Sequence, residues 1–220
     1  MRIVGHRPLL IAAGAAFACL LAASPATPQS KDEKRAFELL DRKPEWLVPY
    51  IKVEGDSLDP QIKISTYGVT ARTSKGLLAS TTTENSFLRG YIDRKTGEVS
   101  AQIYQSMTYG GRGFDSFRRA TYESPDGIEE VATSTVDSDV SCQRYGCTHF
   151  SDVVFPVKMD VLRAAAKAFD PNNPRTGLKY RLFGQSGTNV DDVVPSNELV
   201  AFVRVVDREL GRLSKSPERP

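Results

Sequence analysis

The sequence predicts an α+β, mainly β protein. The expected core is an antiparallel sheet, laid out as a meander, half-barrel or sandwich and packed by one N-terminal and two late helices. Three observations carry this. Period-two alternation dominates from Tyr50 to Val157, Gly, Pro, Asn and Asp clusters punctuate it at short intervals, and helical spacing is confined to the ends. Strands do not alternate with helices, which argues against a doubly wound α/β fold.

The chain opens with the order of a secretory signal peptide. Arg2 and Arg7 supply a positive region, Leu9 to Ala23 form an alanine-rich apolar run, and Ser24-Pro25-Ala26 offer small residues for cleavage. The apolar run is about 15 residues, short of the roughly 20 that span a bilayer. Residues 1–26 are therefore read as a cleaved signal, 27–30 as a linker, 31–213 as one globular domain and 214–220 as a flexible tail. Export to the periplasm or outside the cell follows, with no stable membrane insertion after cleavage.

Cleavage changes the available chemistry. Of 29 basic residues, Arg2 and Arg7 leave with the signal, so 27 remain against 27 acids and the mature formal charge is zero. A neutral chain gives no ground for expecting nucleic acid as a partner. His6 and Cys19 leave too, so His149 is the one remaining histidine and Cys142 and Cys147 the one remaining cysteine pair. A His/Cys zinc site needs three or four ligands, which one such chain does not supply. No motif specifies a cofactor, and no metal is expected, although an oxygen-only site from Asp and Glu stays open.

Along the mature chain, Lys31 to Arg42 carry a helical pattern with Ala36, Phe37 and Leu40 on one face, stopped by Pro44. Trp46, Leu47 and Val48 lead onto the core, with Trp46 expected to pack. Ile51 and Val53, then Ile62 and Ile64, then Val69 and Ala71 alternate with polar neighbours. Thr73 to Gly76 reads as a turn and Leu77 to Thr83 as a short strand. Phe87 to Ile92, a turn over Asp93 to Gly97 and the strand Val99 to Tyr109 make the clearest hairpin, with Gly97 expected at positive φ. In the second strand Val99, Ala101, Ile103, Met107 and Tyr109 face one way and Ser100, Gln102, Ser106 and Thr108 the other, so one face is buried and one wet.

Gly110 to Gly113 reads as a turn, Phe117 to Glu123 as a strand, Ser124 to Gly127 as a turn and Glu130 to Val140 as one strand leading into the cysteine hairpin. Asp160 to Phe169 is a helix ended by Asp170 to Pro174, and Leu178 to Gly184 a strand. In the last helix Ser196 is the expected N-cap, Leu199, Phe202, Val203, Val206 and Leu210 the apolar stripe, and Gly211 the stop.

Cys142 and Cys147 enclose four residues, and in an oxidising compartment the sole pair is most simply a disulfide. A redox motif wants two intervening residues at a helix start, which this spacing lacks. Arg144 and Tyr145, at the clamped tip, are the candidate binding residues, because a preorganised loop loses less entropy on binding. No catalytic set is assigned. His149 shares a strand face with Ser151 and not with Asp152, and Gly184-Gln185-Ser186-Gly187 lacks the second glycine of a nucleophile elbow. Gly110 to Gly113 lacks the Walker lysine, and Asp191-Asp192 with Asp170 and Asn172-Asn173 match no calcium loop. Arg118-Arg119 beside Phe117 and Tyr122 read as a solvated strand face. The expected function is a non-catalytic module that binds an unidentified protein or small ligand through its sheet face or clamped hairpin. The alternative is a carboxylate-dependent hydrolase of the cell envelope, which leaves no short motif.

Overall fold

The structure, a computed structural model, describes residues 35–36, 38–70, 74–75, 81–110, 115–144 and 146–215. The signal and linker segments, residues 76–80, the Gly111 to Gly113 part of the glycine turn, Tyr145 and residues 216–220 lie outside them.

The fold is mainly antiparallel β, with helical segments before, within and after the run of strands. Helical backbone at 35–36 and 38–39 is followed by α1 (Pro44–Leu47) and a 3-10 turn (Val48–Tyr50). The strands are β1 (Lys52–Glu54), β2 (Gln61–Ser65), β3 (Ser74–Lys75), β4 (Thr81–Asp93), β5 (Val99–Gly110), β6 (Phe117–Ser124), β7 (Gly127–Ala132), β8 (Ser134–Gln143) and β9 (Gly146–Val157). After them come α2 (Met159–Lys167), the hairpin β10 (Gly177–Gly184) and β11 (Asn189–Pro195), and α3 (Ser196–Leu213). One sheet runs β1-β2-β4-β5-β9-β8 with β3 on β4, and the other runs β11-β10-β6-β7.

The two sheets meet through their apolar faces. Ile103, Met107, Tyr109, Val153 and Phe155 of the first join Phe117, Ala120, Tyr122, Leu178, Tyr180 and Leu182 of the second in one core. The Phe155 ring centre lies 5.2 Å from that of Tyr180 and 6.4 Å from that of Tyr122. Helix α3 touches β2 and β4 of one sheet and β10 and β11 of the other, burying Leu199, Phe202, Val205 and Val206 between them. Gly90 on β4 makes that fit: a Cβ there would stand 2.8 Å from Phe202 Cζ. The side chain of Asn197 donates to the carbonyls of Leu40 and Arg42 at 2.8 and 2.9 Å, tying the N-terminal segment to α3.

Several elements differ from the sequence expectation for identifiable reasons. Pro44 opens a short helix instead of only closing one, because the first helical turn needs no N–H from it. Val69 is buried in a turn, not a strand; the chain reverses at Thr66 to Val69, where the Val69 N–H reaches the Thr66 carbonyl at 3.0 Å. Ser74 and Lys75 pair with Thr83 and Thr82 rather than forming a turn. The expected strand from Glu130 to Val140 is two strands in different sheets. It breaks at Thr133, whose N–H and hydroxyl bind the carbonyls of Arg118 and Phe117, and the chain crosses there. Strand β11 pairs with β10 although Asp191 and Asp192 interrupt the apolar pattern that would mark it in the sequence. Ser196 is the first helical residue and not the cap; its hydroxyl goes to the Pro174 carbonyl at 3.2 Å, and Pro195 holds the cap position. Helix α3 passes through Gly211 to Leu213, the glycine meeting open space. Gly97 does take positive φ, +72°.

Candidate functional site

The face of the larger sheet turned away from the core carries an aromatic stripe. The register aligns Phe87 on β4, Tyr104 on β5 and Val154 on β9, all on the side opposite Leu88, Ile103 and Phe155. Phe87 and Tyr104 stack with ring centres 4.8 Å apart and planes 14° from parallel. Tyr67, carried on the turn after β2, meets Phe87 edge-on at 5.1 Å and is 54% exposed. The Arg89 guanidinium lies 4.2 Å from the Tyr104 ring centre and 5.4 Å from that of Phe87, while Lys52 Nζ stands 5.7 Å from Tyr67. Burial pushes the Tyr104 hydroxyl above the ordinary tyrosine value, and its hydrogen bond with Tyr91 adds to this. That hydroxyl stays a neutral donor, given to Gln102 Oε1 at 3.2 Å.

Cations over aromatic faces are held by the ring quadrupole, at about 0.5–2 kcal/mol according to desolvation. An antiparallel sheet normally leaves this face polar. Here an exposed tyrosine and two cations overlie a stacked ring pair that is itself buried, Phe87 at 7% and Tyr104 at 9% exposure, and tyrosine and arginine are concentrated where proteins bind one another.

A groove of about 330 Å³ opens on another side of the molecule, between α2, the β6–β7 turn and the start of β10. Val161, Ala164, Ala165 and Leu178 line it with Glu123, Thr176 and Ser196. Its size falls at the lower end of small-ligand sites, which are mostly apolar with a few polar anchors. Glu123 is the carboxylate among these lining residues, and Lys179 Nζ stands 3.2 Å from it.

Cys142 and Cys147 form a disulfide with an S–S distance of 2.03 Å, directly paired across β8 and β9. Closing so short a loop contributes about 2 kcal/mol by the loop-entropy relation. Arg144 lies exposed at the tip, and Tyr145 falls outside the described residues. His149 and Ser151 share the core-facing side and are both buried, with Asp152 on the other side, as the alternation requires. The His149 ring stacks on Tyr109 at 5.5 Å. Ser186 sits in the β10–β11 turn, and its hydroxyl proton goes to the Asp115 carboxylate and not to an imidazole as in the Ser-His-Asp arrangement. Arg119 pairs with Glu130 at 2.9 Å and lies 4.1 Å from the Phe183 ring centre, while Arg181 holds Asp191. Among the described residues no three His, Cys, Asp or Glu side chains converge as a metal site, and no helix is long and apolar enough to cross a membrane.

Trp46, expected to pack, is 61% exposed, with the Arg42 guanidinium 5.8 Å from its ring centre; Leu47 takes the buried position beside it. The aromatic stripe was half legible. Tyr104 falls at the wet parity of its strand, a signal visible in the alternation itself, whereas the contribution of Tyr67 required the turn that folds it back onto Phe87. Comparison of the chain with protein-family models, curated proteins and solved structures returns no match.

Proposed function

We propose that this is an exported, non-catalytic binding module that takes a protein partner on the outer face of its larger sheet, at Tyr67 and Arg89, with the buried stacked pair Phe87 and Tyr104 as their support. The observation that carries this reading is Arg89 held against both rings beside an exposed tyrosine. Such a surface is prearranged, so a partner spends little conformational entropy fixing it. The Cys142–Cys147 disulfide supports an oxidising destination, and the clamped tip with Arg144 and Tyr145 offers a second contact point.

The test is capture from the exporting cell with the mature protein beside the variants Tyr67→Ala and Arg89→Ala. A protein retained by the parent and lost by both variants, with circular dichroism unchanged, is the expected result. Equal capture by all three would refute the assignment of this face.

The groove favours a second reading, a small ligand held by Val161 and Leu178 and anchored at Glu123. A hydrolase working through a facing carboxylate pair gains less from it, since Glu123 is the carboxylate among the described residues lining it and is met by a lysine. Ligand-induced shifts confined to α2 and β10 would favour the groove over the sheet face.

A further inference from the structure

Among the described residues strand β8 ends the larger sheet, and all ten of its residues are exposed. A bare strand edge offers unpaired backbone donors and acceptors to any other strand, which proteins normally prevent by a specific device. Here the device is visible. The N–H of Ser138 donates to Asp137 Oδ1 at 2.8 Å, and the N–H of Val140 donates to Asp139 Oδ1 at 2.8 Å. These residues are two apart, so both N–H groups point the same way, off the open edge, and each is taken by the carboxylate just before it. Flanking the two aspartates, Val136 and Val140 are 55% and 42% exposed, an apolar content that an unguarded edge would use for pairing.

We propose that Asp137 and Asp139 are guards that hold β8 closed against the β8 strand of a second copy of this chain. Antiparallel pairing centred on Ser138 sets Asp137 against Asp139 of the second copy, and pairing centred on Asp139 sets the two Asp139 carboxylates against each other. Asp152, directly across from Asp137 on the same face, adds a further negative charge in either register. Like charges placed opposite on a sheet destabilise the pair. The carboxylates thus act twice, spending the donors an incoming strand needs and repelling the strand most available to pair. Removing them leaves two free N–H groups, two exposed valines and a strand whose register the disulfide fixes at one end.

The experiment is the mass in solution of the mature protein by light scattering as concentration is raised. The parent is expected to remain a monomer, and Asp137→Ala/Asp139→Ala to reach a mass twofold higher. The variant Asp137→Thr/Asp139→Thr gives the same result with stronger strand propensity, which secures folding if the alanines weaken it. Asp137→Asn/Asp139→Asn keeps the acceptor oxygens and loses only charge, so it dimerises less than the alanine pair. Adding Ser138→Pro to the alanine pair removes one edge N–H and returns the monomer. A parent that already pairs through β8, folded alanine and threonine pairs that stay monomeric, an asparagine pair that dimerises as strongly as the alanine pair, or dimers that survive the proline would each overturn the proposal.

Discussion

Glu198, fully buried in the first turn of α3, accepts a hydrogen bond from the Thr66 hydroxyl at 2.5 Å. Its second oxygen accepts from the Thr70 hydroxyl at the same distance. The Thr66 oxygen in turn accepts the N–H of Leu88 at 2.8 Å, so one carboxylate fastens the turn after β2 to both α3 and β4. Burying a carboxylate is costly unless its acceptors are filled, and the helix N-terminus favours its charge. Tyr67 follows Thr66 directly, so this buried latch places the exposed ring of the candidate site from behind.

The latch makes a sharp prediction. Glu198→Ala strands two buried hydroxyls and should cost about 2–4 kcal/mol, read as a lower urea midpoint. Glu198→Gln keeps one acceptor oxygen and should lose less. If the latch positions Tyr67, partner binding by Glu198→Gln falls while binding by a surface control such as Glu38→Gln does not.

Gln105 and Tyr180 join the two sheets through the core. The Tyr180 hydroxyl donates to Gln105 Oε1, and Gln105 Nε2 donates to the Ser106 carbonyl at 2.9 Å and the Asn85 carbonyl at 3.4 Å. The register of β4 against β5 slips between Thr83 and Asn85, and the amide fills acceptors beside that bulge. Tyr180→Phe should cost about 1–3 kcal/mol, because it strands a buried carbonyl oxygen. Paired with Gln105→Leu in a double-mutant cycle, the combined loss should be smaller than the sum of the two singles. Strict additivity would mean that the two side chains do not depend on each other.

The same strand marks how much the sequence disclosed. The alternation from Val99 to Tyr109 places Ala101, Ile103, Met107 and Tyr109 inside, and they are buried. It is at Tyr104 and Gln105 that polarity and parity disagree: the glutamine is fully buried against the core, and the tyrosine points to the outer face yet is buried there too, against Phe87 and Val154. Periodicity fixes which side a residue takes, but not what meets it there, and both residues are explained by partners far along the chain. Long-range choices were similarly illegible. Nothing local to Thr133 says that the strands around it belong to different sheets, because the carbonyls that hold it come from β6. The disulfide, by contrast, needed only a count of cysteines and a short spacing.

Gly90 should tolerate no side chain. In Gly90→Ala the new methyl meets Phe202 Cζ at 2.8 Å, inside normal contact, and α3 has no free direction between two sheets. Overpacking of this kind costs about 1–3 kcal/mol. The compensating change Phe202→Leu on the alanine background should recover part of the loss in thermal midpoint, while Phe202→Leu alone destabilises by leaving a cavity.

Acid should weaken the fold through carboxylates held in turns and ion pairs. Asp93 is lowered below the usual carboxylate range first by the backbone N–H of Thr96, then by the Thr96 hydroxyl and the N–H of Lys95, at 2.8, 3.1 and 2.9 Å. Glu129 is lowered chiefly by its bond with Lys158, 2.8 Å away. A folded pKa below the unfolded value means that the unfolded chain binds more protons in between. Their stabilisation is therefore full above the ordinary carboxylate value, about pH 4, and is lost as pH falls through the lower folded value. The thermal midpoint should be level near neutrality and decline below about pH 5. Asp93→Asn should lie below the parent at neutral pH and converge with it in acid, because protonation removes from the parent the charge that the variant never had. A gap between the two that widens toward low pH would reverse the sign and exclude this account.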